Sequence, residues 1–149
     1  MSRKLWAVFL LMIVSSVFAR ANEISRHFTI LVDKSDNTLT LKEDGAVLKT
    51  YVVSTGSDNS TPVGIFKVTT KLENPTWYRP GAVLGPHDKR NQLGTRWIGI
   101  SKKGYGIHGT TEPEKLGRQA SAGCIRMKNT DVEELYSLVR PGTEVIIRN

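Results

Sequence analysis

Asp44-Gly45 narrows the fold more than any other feature, because it sits between two short runs with strand character. Thr38 to Lys42 puts Leu39 and Leu41 on one face, and Val47 to Ser54 is rich in β-branched and aromatic residues. An Asp-Gly pair in that setting accepts positive φ at low cost and reverses the chain as a tight hairpin. Upstream, Phe28 to Asp33 alternates, with Phe28, Ile30 and Val32 on one face, and Lys34-Ser35-Asp36-Asn37 is a polar turn. The folded domain is therefore expected to open as a β-meander. Pro62 and Gly64 bound a further strand from Ile65 to Thr70, and "TEVIIRN" reads as the last one. "GTRWIGISKKGYGIHGT" resembles a hairpin, with strands Arg96 to Ser101 and Tyr105 to His108. Between them, Glu73 to Gln92 is rich in Pro, Gly and Asn and carries Trp77 and Tyr78. It is long for a plain connection, and such loops tend to be functional.

One stretch has helical period. In "NTDVEELYSLVR", Val132, Leu135, Tyr136 and Val139 fall on one face, a stripe best explained by core packing. Thr130 with Glu133 forms a capping-box pattern, Arg140 closes the last turn, and Pro141-Gly142 stops it. The expected architecture is mainly β, with one α-helix packed on a sheet.

The first residues follow different rules. Arg3 and Lys4 precede an apolar run from Leu5 to Phe18, and Ala19-Arg20-Ala21 offers small residues at a cleavage site. This is the pattern of a secretory signal peptide over 1–21, leaving one domain over 22–149. The alternative, a retained anchor, needs an apolar run of about 20 residues, and this run is shorter. No stable membrane span is expected after cleavage. Without Arg3, Lys4 and Arg20 the formal charge falls from +7 to +4. A modestly basic exported chain suits an acidic partner such as a cell-wall polymer. The charges are scattered rather than run together, which argues against nucleic acid.

Export changes the meaning of Cys124, the only cysteine. Exported proteins usually pair their cysteines. A single one is a buried hydrophobe, an intermolecular link or a thiol with a purpose. In "CIRM", strand alternation sends Ile125 and Met127 to one face and Cys124 with Arg126 to the other. A cysteine that only filled the core would not usually share its face with arginine. A thiol near its reference pKa is only about 3% thiolate at pH 7, so a nucleophile needs a base or a positive neighbour. His27 begins the first strand and His87 sits in the irregular loop, so both suit structural or solvated roles. His108 ends a strand sixteen positions before Cys124, with Gly109 and a polar segment between that lets the chain double back. His108 is the candidate base. The Gly109 carbonyl is free to orient its ring. Gly123 allows a substrate to approach closely, and the Cys124 N–H is placed to hold an oxyanion. No close ligand spacing of the structural-zinc kind is present.

"IHGT" followed by "SAGCIRM" resembles the signature of the YkuD-type L,D-transpeptidase family, and "TPVGIFKV", "NPTWYRPG" and "LGTRWIGI" resemble that family's preceding segments. The likeness runs over residues 25–149. Ala122 stands where many members have His or Asn. The resemblance implies a β-sandwich-like catalytic domain with no metal or organic cofactor. It implies acyl transfer on peptidoglycan stem peptides in the periplasm or cell wall. Cys124 is then the nucleophile, His108 the base and Gly109 its orienter. Arg126, Ser121 and Gly123 shape the acyl pocket, and Tyr105, Trp77 and Tyr78 line the groove. Trp97 suits a structural role. The acceptor is a stem amine, water or a protein lysine such as that of an envelope lipoprotein. A sortase-like thiol enzyme and a non-enzymatic wall-binding module are the competing readings.

Overall fold

The computed structural model describes residues 26–149. The signal-peptide expectation over 1–21 therefore lies outside the described residues. The meander is present as β1 (Phe28–Asp33), β2 (Thr38–Glu43) and β3 (Ala46–Gly56). Asp44 and Gly45 take φ of 49° and 85°, the two consecutive positive values a type I′ hairpin requires. Alternation decides the faces: Ile30, Val32, Leu39 and Leu41 are fully buried.

The remaining strands are β4 (Gly64–Glu73), β5 (Trp77–Arg79), β6 (Ala82–Leu84), β7 (Arg96–Ile100), β8 (Gly106–His108), β9 (Gln119–Ser121), β10 (Ile125–Met127) and β11 (Glu144–Arg148). Nine of these eleven strands form one sheet in the order β10-β8-β7-β4-β11-β1-β2-β3-β9. A further pairing of β10 with β3, through Arg126↔Ser54 and Met127↔Val53, closes the sheet on itself. The closed sheet wraps a single core that includes Ile30, Val53, Ile98, Ile107, Ile125, Met127 and Ile147.

Two local expectations change. The Glu73–Gln92 segment is not wholly irregular, because β5 and β6 form a small hairpin around Pro80-Gly81, with Gly81 at φ 77°. Asn91 ties this excursion down. Its buried carboxamide donates to the carbonyls of Pro75, Leu84 and Gly85 and accepts from Leu93 N–H. The helix, α1 (Asn129–Leu138), starts before Thr130, with Lys128 as N-cap and no side-chain cap bond. Thr130 and Glu133 therefore make no capping box, and Arg140 lies beyond the last turn. Val132, Leu135 and Val139 are buried as the stripe requires, and Tyr136 is half-buried.

The element that builds the site is the β8–β10 pair. It is parallel, with Ile107 opposite Ile125 and His108 opposite Arg126. Parallel neighbours need a crossover rather than a tight turn. Residues 109–124 supply it, and it includes a 3-10 turn at Pro113–Lys115 and strand β9. In register, paired residues share a face and alternate residues return to it. His108, Arg126 and Cys124 are thereby delivered to one side, while Ile107, Ile125 and Met127 go into the core at 0% exposure.

Candidate active site

That face opens into a groove of about 580 Å³, within the range of small-molecule sites. Cys124, His108, Arg126, Ser121, Tyr105, Trp77 and Tyr78 all line it, together with Trp97, Gln92 and Leu93. Gly109 and Gly123 are not among its lining residues, though Gly109 bonds His108 and Gly123 precedes Cys124. His27 instead spends its backbone N–H on the Asp44 carboxylate, far along the meander, and neither it nor His87 lines the groove.

His108 is buried, at 4% exposure. Its Nδ1 lies 2.7 Å from the Gly109 carbonyl. A carbonyl only accepts, so Nδ1 carries the proton and Nε2 keeps its lone pair. The Trp97 ring stacks on the imidazole at 5.8 Å between centroids and 19° between planes. Trp97, a candidate for groove or core with the structural role preferred, is paired directly with His108 by β7 and lines the groove. Burial, helped by the Arg126 charge, lowers the His108 pKa to about 4 against the opposing Gly109 and Leu93 backbone groups.

The linkage has a definite sign. Unfolded histidine takes up its proton near pH 6.5, whereas folded His108 refuses it until about pH 4. The contribution is complete above pH 6.5 and is lost as pH falls toward 4, to an extent of about 3 kcal/mol. Denaturant unfolding of wild type should therefore show stability dropping across this window. His108→Gln should flatten that limb. A Gln variant with the same limb would assign it to other groups.

Cys124 is half-buried at the groove. Its Sγ lies 3.7 Å from the Gly104 carbonyl. Burial raises the thiol pKa, while the Gly106 backbone and the Arg126 charge pull the other way. At neutral pH the groove thus holds a neutral thiol and a neutral imidazole.

Arg126 is fixed by residues that sequence spacing did not single out. Its guanidinium meets Glu112 at 3.7 Å and Gln92 at 3.4 Å, and its Nε is buried without a partner. Glu112 is also bound by Lys115 at 2.5 Å. These contacts span the crossover and the Asn91-tied loop, so only the fold brings them together.

Ser121 lies on the wall, but its hydroxyl is turned back into the Gly123–Cys124 loop. It donates to the Cys124 carbonyl at 2.5 Å and accepts from Gly123 N–H at 3.0 Å. Gly123 sits at φ 131°, and a Cβ there would come within 2.7 Å of the Tyr105 ring. Tyr105 thus packs across the loop as well as lining the groove. Trp77 is braced by Arg79, 4.9 Å above its ring, and Tyr78 is 76% exposed at the mouth. Among the described residues no three His, Cys, Asp or Glu side chains converge to hold a metal ion.

Comparison with known proteins agrees with this arrangement of elements. The chain is 43% identical over 124 residues to YqjB of Bacillus subtilis, a protein assigned by its name to the L,D-transpeptidases. The match covers 79% of this chain and 69% of that one. The catalytic domain of the Enterococcus faecium L,D-transpeptidase superposes with a TM-score of 0.66 at 27% identity, covering 81% of this chain and 96% of that one. L,D-transpeptidase 3 from Mycobacterium tuberculosis, solved with a faropenem-derived adduct, superposes at 0.69 with 20% identity and shares the fold. That match covers 83% of this chain and 61% of the mycobacterial one. Residues 27–147 match the YkuD family, described as the L,D-transpeptidase catalytic domain. The chain belongs to the YkuD family of L,D-transpeptidases.

Proposed function

We propose that this protein is an exported peptidoglycan L,D-transpeptidase that works through a thioester on Cys124. The observation that carries the reading is the shared face of β8 and β10. It puts a thiol, a base with a free Nε2 and a guanidinium in one groove. The proton passes from the thiol to Nε2 of His108 as Sγ attacks the amide carbonyl after the L-configured centre of the third stem residue. The carbonyl π pair moves to oxygen, and the Cys124 N–H stabilises that charge. Collapse breaks the C–N bond, and the imidazolium protonates the departing D-alanine amine. An acceptor amine then attacks the thioester and gives a proton to His108, and the thiol leaves as it regains its own. A stem amine as acceptor yields a cross-link between third residues. Water yields a tripeptide, and a lysine of an envelope lipoprotein yields an anchored protein. Periplasm or cell wall is where such stems are found.

The test is mass spectrometry of products from a defined tetrapeptide stem, with and without an added acceptor stem. Loss of terminal D-alanine with dimer formation by wild type, abolished in Cys124→Ala, is the expected result. Undiminished turnover by Cys124→Ala would sink the thioester mechanism. Cleavage confined to all-L peptides would point to a sortase-like enzyme instead. Sacculus binding that survives Cys124→Ala, with no turnover by wild type, would leave a binding module.

A further inference from the structure

Behind the nucleophile, three segments distant in sequence are pinned by one hydroxyl. Thr61 is 1% exposed. Its Oγ1 accepts from Gly56 N–H at 2.7 Å and donates to the Gly123 carbonyl at 2.8 Å, sixty-two residues away. Ser121 holds the Gly123 N–H and the Cys124 carbonyl. Of the four backbone polar groups on Gly123 and Cys124, three are thus engaged, and no described residue accepts from Cys124 N–H. A trans peptide sends its C=O and the following N–H in opposite directions. With the Gly123 carbonyl drawn into the interior, the Cys124 N–H must turn away from it, toward the groove.

We propose that Thr61 is a positioning residue for acyl transfer. It sets the plane of the Gly123–Cys124 peptide so that Cys124 N–H meets the substrate carbonyl oxygen as that oxygen becomes an oxyanion. The proposal rests on the acyl-transfer reading. Thr61 is itself held in place. It follows the 3-10 turn Ser57–Asn59, in which Asp58 and Asn59 take φ of 50° and 59°. The buried Lys34 ammonium binds the Asn59 carboxamide, and Ser57 Oγ donates to the Ser121 carbonyl at 3.2 Å. Gly56 lets the two backbones close, since a Cβ there would lie 2.9 Å from Gly123 Cα. The same turn therefore grips both ends of the nucleophile loop.

Two reactions of Cys124 separate this role from general support of the loop. Ring opening of a carbapenem passes through an oxyanion. Alkylation by iodoacetamide displaces iodide from a saturated carbon and forms none. In Thr61→Val, carbapenem acylation should fall about tenfold to a hundredfold, with iodoacetamide alkylation unchanged. Thr61→Ser should restore acylation. Wild-type acylation by the Val variant would overturn the proposal. So would a parallel fall in both reactions of a variant whose melting curve shows it folded, or failure of Ser to restore. If the Val variant does not fold, Thr61→Ala is read by the same pair of rates. Neither reagent contains a stem peptide. A protein that proves inactive on stems but shows this split would retain Thr61's role and lose only the proposed substrate.

Discussion

Replacing His108 with glutamine is expected to slow acylation of Cys124 by about 10²- to 10⁴-fold, the range for a positioned general base. The size follows from the resting state. Burial holds the thiol above its usual pKa and the imidazole down at about 4, so no thiolate–imidazolium pair stands ready. The proton must leave in the step that forms the S–C bond, and with Nδ1 protonated toward Gly109 the lone pair that can take it is on Nε2. Wild-type acylation should then be nearly flat with pH from above 4 up to the raised thiol value, because His108 stays neutral throughout. His108→Gln should lose this plateau, and its residual rate should rise with hydroxide as thiolate appears. Stopped-flow acylation by a carbapenem across this range checks both curves. A wild-type acid limb near pH 6.5 would contradict the buried neutral base. So would a glutamine variant that keeps the plateau.

This neutral pair sharpens what the sequence could say about Cys124. Alternation in "CIRM" correctly placed Cys124 with Arg126 and sent Ile125 and Met127 inward, since that depends only on period two. Whether Arg126 would make the thiol a thiolate depends on burial and on competing partners. Both are set by residues far along the chain. Glu112 and Gln92 share the guanidinium, which dilutes its effect on sulfur. No local pattern marks either residue for that purpose.

The same boundary runs through the fold. Ile30, Val32, Leu39, Leu41 and the Asp44-Gly45 turn were legible because each is decided by its near neighbours. Closure of the sheet through β3 and β10 was not, because it joins Ser54 to Arg126 across half the chain. The β5–β6 hairpin escaped notice because each strand has only three residues, too short for alternation to register, though Pro80-Gly81 is a turn signal. The start of α1 was misplaced for a different reason. Asn129 has the chemistry of a cap, but its Oδ1 accepts from Thr95 N–H at 3.3 Å and Thr110 N–H at 3.1 Å rather than from its own helix. A tertiary demand thus claims the side chain next to the expected Thr130 cap.

That demand makes Gly109 the second position where a small change should have a large effect. A Cβ on Gly109 would overlap Asn129 Oδ1 and press on Thr95 N at 3.1 Å. Its φ is not in the left-handed region, so the requirement is for space alone. Gly109→Ala must push the carboxamide aside and break both of its backbone bonds, or shift the strand end that carries His108. Leaving two such partly buried N–H groups without partners costs about 2–5 kcal/mol. Either response also moves the Gly109 carbonyl that fixes the proton on Nδ1 of His108, so acylation should fall about a hundredfold, as expected for an ångström of misplacement. Asn129→Ala makes room for the new methyl but forfeits the same two bonds. The double variant should therefore be no less stable than Asn129→Ala alone, rather than the sum of the two losses. Urea unfolding of the four proteins measures this coupling. Additive losses would show that Gly109 serves the backbone itself and not the space beneath Asn129.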